Sequence, residues 1–139
     1  MKATLLLWPL LFTIAVTACG DDDYNPADPY RREARRQIGG VAELAINAYA
    51  SAGPEALFDY LSAEIAQRCS ADSLAAALAD EAPPTGFRQL KDVDFGFDAA
   101  IATITISTDD GERDIVWLYV SEEGSWRIND MPGLENCPS

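Results

Sequence analysis

Cysteines at positions 19, 69 and 137 are the only thiols in a chain of 139 residues that contains no histidine. Histidine is the side chain that titrates near neutrality and the usual base behind a serine or cysteine nucleophile. Its absence removes those pairs together with the commonest transition-metal ligand. A serine–lysine pair would have to recruit Lys91, because the other lysine is Lys2. Catalysis would fall to carboxylates, tyrosines or arginines. Asp92, Asp94 and Asp98 begin like a calcium loop, but Gly96 stands where a ligand belongs and no glutamate closes the site. Strand alternation explains them without an ion. Asp21, Asp22 and Asp23 are consecutive and lack loop spacing. The sequence therefore predicts no metal and no cofactor. Its formal charge of −13 is repelled by phosphate backbones and gains nothing from counterion release, which argues against nucleic acid as a partner.

The elements that place these residues begin with the first cysteine. Met1-Lys2 supplies a minimal positive start, and the apolar run ATLLLWPLLFTIAV follows over 3–16. That run is shorter than the roughly 20 residues a spanning helix needs and suits a secretory signal. Val16-Thr17-Ala18-Cys19 then resembles the lipobox of bacterial lipoproteins: an aliphatic residue, two small residues and the cysteine. The resemblance implies a signal peptide over 1–18, cleavage before Cys19, and lipidation of Cys19 through a thioether with fatty acylation such as palmitate. Two acyl chains on one residue anchor stably where one gives marginal binding. The protein would then sit on the extracytoplasmic face of a cell membrane, at the cell surface or in a periplasm. An ordinary cleavable signal, or an uncleaved anchor with a core cysteine behind it, are the competing readings. Residues 19–30, rich in Asp and Pro and without apolar periodicity, read as an acidic disordered tether. Loss of Lys2 leaves 9 − 23 = −14 charges on the mature chain.

Lipid on Cys19 leaves Cys69 and Cys137 as an even pair in an oxidising compartment, which predicts a disulfide between them. A buried inert thiol at Cys69, or intermolecular pairing through Cys137, are the alternatives. A redox pair is disfavoured by spacing unlike Cys-x-x-Cys.

Residues 31–139 make one domain. Asp28 reads as an N-cap with Pro29 at the first helical position. Ile38, Val41, Ala42, Ala45, Ala48 and Tyr49 recur at helical spacing, with Gly39-Gly40 marking a bend or a close packing contact. Gly53-Pro54 closes that helix and opens PEALFDYLS, with Leu57, Phe58 and Leu61 inward; AEIAQRC and SADSLAAALADEA follow as short helices, the latter capped by Ser70. Beyond Pro83-Pro84 the period switches to two. In LKDVDFGFD, Val93, Phe95 and Phe97 share one face and Asp92, Asp94 and Asp98 the other. AAIATITIST, RDIVWLYVS and SWRIND continue a meander, with turns at Asp110-Gly111 and Glu123-Gly124. Helices followed by antiparallel strands predict an α+β domain. Arg31, Arg32, Arg35 and Arg36 crowd the first turns of a helix, where the macrodipole disfavours cations. Pairing with Glu33 or the tether's aspartates accounts for them; contact with anionic lipid headgroups is the alternative.

The order of these elements, with AGPEALFDYLS, DAAIATITI and VWLYVSEEGSWRIND, resembles the nuclear transport factor 2-like superfamily over about residues 33 to 130. The resemblance implies a cystatin-like cone: N-terminal helices packed on a curved antiparallel sheet around a conical pocket. Tyr49, Phe58, Tyr60, Trp117 and Tyr119 would line it, with Asp94 and Asp130 the carboxylates nearest the aromatic strands. Ordinary packing of the aromatics and solvation of the acids is the simpler account. The fold serves enzymes and binding modules alike, so it does not decide function. No phrase places an acid base opposite a tyrosine–acid oxyanion hole, and no catalytic residue is assigned. The sequence thus favours a non-catalytic domain binding a small apolar ligand or a protein partner. A small isomerase, dehydratase or hydrolase using carboxylate and tyrosine in the cone is the alternative.

Overall fold

The carboxylate of Asp28 accepts a hydrogen bond from the Tyr30 N–H at 2.9 Å, and its carbonyl accepts from Arg32 at 3.1 Å. This cap starts helix α1, Pro29–Ala52. The computed structural model describes residues 28–137. The segments expected as signal peptide, 1–18, and as lipidated Cys19 with its tether, as far as residue 27, lie outside the described residues; residues 28–30, expected as the tether's end, form the cap and first turn of α1. Arg31 lies 4.0 Å from the Asp28 carboxylate.

Helix α1 buries Ala34, Ile38, Ala42, Ala45, Ile46 and Tyr49 on one side and runs without interruption through Gly39 and Gly40. Of the two glycines, Gly39 is the packing contact: a Cβ there would meet Leu90 at 3.5 Å. Gly53, at φ 101, ends the helix, and a 3-10 helix follows over Pro54–Tyr60. Helix α2, Ala63–Arg68, and helix α3, Ala71–Ala77, are capped by the hydroxyls of Ser62 and Ser70, which accept from Ile65 and Ser73.

Strands β1 (Gly86–Phe95), β2 (Ala99–Thr108), β3 (Gly111–Glu122) and β4 (Ser125–Asp130) form one antiparallel sheet in sequence order. Helices on a four-stranded antiparallel curved sheet make the domain α+β, as its sequence predicts. Glu123 and Gly124 both have positive φ, 51° and 82°, the geometry of a tight turn whose twist suits the β3–β4 hairpin. One face of the sheet is buried: Ala100, Ala102, Ile104 and Ile106 of β2, Trp117 and Tyr119 of β3, Trp126 and Ile128 of β4. Helix α1 is tied along β1, where Arg35 donates to the Leu90 carbonyl at 3.3 Å and the Phe87 N–H donates to Asn47 Oδ1 at 3.2 Å. At the other edge Leu61 bridges Ile128 in parallel, and the Ser62 N–H donates to the Ile128 carbonyl at 2.8 Å. Ser62, fully buried, also donates its hydroxyl to Asn129 Oδ1 at 2.7 Å.

Strand β1 corrects the sequence reading. It begins at Gly86, and register shifts after Phe87 and Leu90 break its alternation. Phe97 does not share the face of Val93 and Phe95; it sits in the β1–β2 connection, 99% exposed.

Candidate functional site

Cys69 closes α2 and Cys137 follows the 3-10 helix Leu134–Asn136; the two are joined as a disulfide, with Cα atoms 5.6 Å apart. The bond fixes the C-terminal segment against the helices. Leu134 and Met131 are buried beside it. Gly133 adopts φ 101 where a Cβ would lie 2.6 Å from Leu78 Cδ2, so only glycine lets the segment approach this closely.

The segment roofs what remains of the space between helices and sheet. That cleft, lined by Tyr49, Leu78, Glu81, Ile106, Arg113, Trp117 and Met131 among others, has a volume of about 30 Å³. This is about one water's share of the liquid. Of the five aromatics named from the sequence, Tyr49 and Trp117 line it. Tyr119 does not line the cleft; it is fully buried, its ring centroid 6.5 Å from that of Trp117. Phe58 and Tyr60 are half-buried at the core's margin on the 3-10 helix and do not reach the cleft either. The aromatics fill the interior more than they line a space within it.

The chemistry of this interior is that of neutral phenols. Burial raises the Tyr49 pKa above its ordinary value, with the negative charge of Glu81 adding to the effect and Arg113 opposing it. Burial alone raises that of Tyr119 much further. The Tyr119 hydroxyl has no hydrogen-bond partner among the described residues. Glu81 and Arg113 gave no signal in the sequence, because a charged residue near the end of SADSLAAALADEA or at the start of RDIVWLYVS reads as solvated. Arg113 is held by a hydrogen bond to the Ala82 carbonyl at 3.0 Å.

Asp94 and Asp130 are not beside the aromatic interior. Cross-strand partners share a face of a sheet, and Asp94 pairs with Ile101 while Asp130 pairs with Leu118, on the face away from the helices. That outer face divides in two. At one end Lys91 Nζ lies 2.7 Å from Asp114 Oδ2, Thr105 donates to Asp114 Oδ1 at 2.8 Å, and Arg88 pairs with Glu112 at 2.9 Å. The hydrogen bond from Lys91 lowers the Asp114 pKa, and the same contact raises that of Lys91. The other end is apolar. Ile101, Val116 and Leu118 border an open hollow of about 420 Å³ with Met131 and Pro132, and Asp130 and Glu135 stand at its edge.

Among the described residues no helix is long and apolar enough to cross a membrane. No model of a known protein family matches the chain, and no curated protein matches it either.

Proposed function

We propose that this chain is an extracytoplasmic lipoprotein, anchored through lipid on Cys19, whose domain belongs to the cone-shaped nuclear transport factor 2-like type and acts by binding a protein partner. The lipobox-like Val16-Thr17-Ala18-Cys19 supports the anchor, and a cysteine pair bonded at 69 and 137 suits an oxidising compartment. The observation that carries the choice between ligand classes is the interior volume. A space of about 30 Å³ is far below the roughly 300–1,000 Å³ of small-molecule sites, while the open hollow lies outside on the sheet. The same fullness gives the enzyme reading less support.

Two measurements test this. Intact-mass analysis of the membrane-extracted protein should find a diacylglyceryl adduct on Cys19, and Cys19→Ala should release the chain from the membrane; a native protein that is soluble and unmodified refutes the anchor. Titration with fatty acids, terpenes and steroids, followed by tryptophan fluorescence, should give no saturable change. Micromolar binding of such a ligand, lost when Tyr49 is replaced by tryptophan, refutes the protein-partner reading.

A further inference from the structure

The apolar half of the outer sheet face is ringed by acids of one sign. Ile101 is 46% exposed and Val116 52% exposed, neighbours across β2 and β3, with Leu118 directly opposite Ile101. On the β1 side Asp92 and Asp94 are exposed and stand opposite Thr103 and Ile101. On the β4 side Asp130 stands opposite Leu118, and Glu135 borders the same hollow. Among the described residues no ion pair engages these four carboxylates. The cations of the face are committed elsewhere: Lys91 to Asp114, Arg88 to Glu112. Arg127 of β4 donates to the Asp59 carbonyl.

We propose that this half-face is the docking surface for a cationic amphipathic protein segment, whose apolar side chains cover Ile101, Val116 and Leu118 while lysines or arginines reach Asp92, Asp94, Asp130 and Glu135. The inference rests on the protein-partner reading above and names where and by what chemistry that partner binds. An exposed apolar strip with a polar rim is the form an interaction site takes, and complementary charge sets its register and excludes wrong partners. Charge also identifies the occupant. A second copy joined across a two-fold axis would present the same acids to themselves. The chain's own residues 19–27 carry three aspartates and no cation, so they are no better matched. Anionic surfaces and nucleic acids are repelled by the same ring.

The test uses the full chain in zwitterionic nanodiscs and a synthetic peptide of alternating leucine and lysine, with a serine–lysine peptide, which keeps the amines and lacks the apolar side chains, as the control. Zero-length carbodiimide coupling followed by mass spectrometry should join the lysines to Asp92, Asp94, Asp130 or Glu135, with no coupling of the control. Competition by the free peptide should weaken about tenfold when Asp92, Asp94 and Asp130 are all changed to asparagine. The same number of neutralisations on the helical side, Asp59→Asn, Asp72→Asn and Asp80→Asn, should leave it unchanged. Adducts spread over all exposed acids, equal weakening by the two sets of substitutions, or absence of coupling would each overturn the inference. So would a concentration-dependent dimer abolished by Val116→Asp. These failures leave the protein-partner reading standing, since that reading fails only on saturable binding of a small ligand in the interior.

Discussion

Replacing Tyr119 with phenylalanine removes one oxygen from the middle of the buried sheet face and leaves the ring in place. In the folded state that hydroxyl is buried and has no partner among the described residues. A buried hydroxyl left unsatisfied costs about 1–3 kcal/mol. Its removal leaves a void of roughly 10 Å³, which at about 24 cal/mol per Å³ costs only about 0.2 kcal/mol. Tyr119→Phe should therefore stabilise the domain by about 1–2 kcal/mol, raising the melting temperature by roughly 4 °C for each kcal/mol. Urea unfolding followed by tryptophan fluorescence measures this, with unchanged m-values required for the comparison. The alkaline limb gives an independent check. The Tyr119 pKa is higher folded than its unfolded value of 10.0. Its contribution is thus fully present below pH 10 and is lost as pH rises toward the folded value. Tyr119→Phe should flatten that part of the alkaline decline. A variant destabilised by about 0.5 kcal/mol or more would refute the reasoning and place a hydrogen-bonding water on the hydroxyl.

Reducing the Cys69–Cys137 bond frees a loop with a sequence separation of 68. In the chain-entropy model this lowers stability by about 4 kcal/mol, read as a fall in melting temperature with reductant. Gly133→Ala forces a side chain to φ 101 and into Leu78; a loss of about 1–2 kcal/mol or more is expected by denaturant titration. For the exposed Lys91–Asp114 pair, the Asp114 pKa is lowered from 3.8 and that of Lys91 raised from 10.5. The pair's contribution is present between those values. It is lost as pH falls through the folded Asp114 pKa and as it rises through that of Lys91. Lys91→Met should remove the alkaline limb and shrink the acid one, part of which the hydrogen bond from Thr105 to Asp114 sustains, and leave the mid-pH fold intact.

The long helix was readable because Ile38, Ala42, Ala45 and Tyr49 repeat its period on a single stripe. Ala34, four residues before Ile38, extends the same stripe toward the start of the helix, and Ile46 widens it. The meander was readable from alternation in β2 and β3, where pairing runs unbroken from Ala99 to Thr108. Alternation misled in β1 because Val93-Asp94-Phe95 continues across Gly96 to Phe97 as pattern, whereas the chain turns there and the Gly96 N–H closes onto the Ala99 carbonyl at 2.8 Å. The bulges after Phe87 and Leu90 hid the earlier half of the same strand. Aromatic residues could be placed on strands but not on a cavity wall, since nothing in residue type distinguishes a ring that borders a space from one that fills it. The side on which Asp94 and Asp130 lie follows from register, which only pairing partners reveal.

Met131 and Pro132 line both the small interior cleft and the outer hollow, so a single stretch of backbone is a wall shared by two rooms. Its far end is fastened by Cys137. The contour of the outer surface therefore depends on a bond that forms only outside a reducing cytoplasm. A newly made chain would carry the acids and the apolar strip from the start, but their final alignment would be set only when that bond forms. Recognition of the surface would then report on whether the bond is closed.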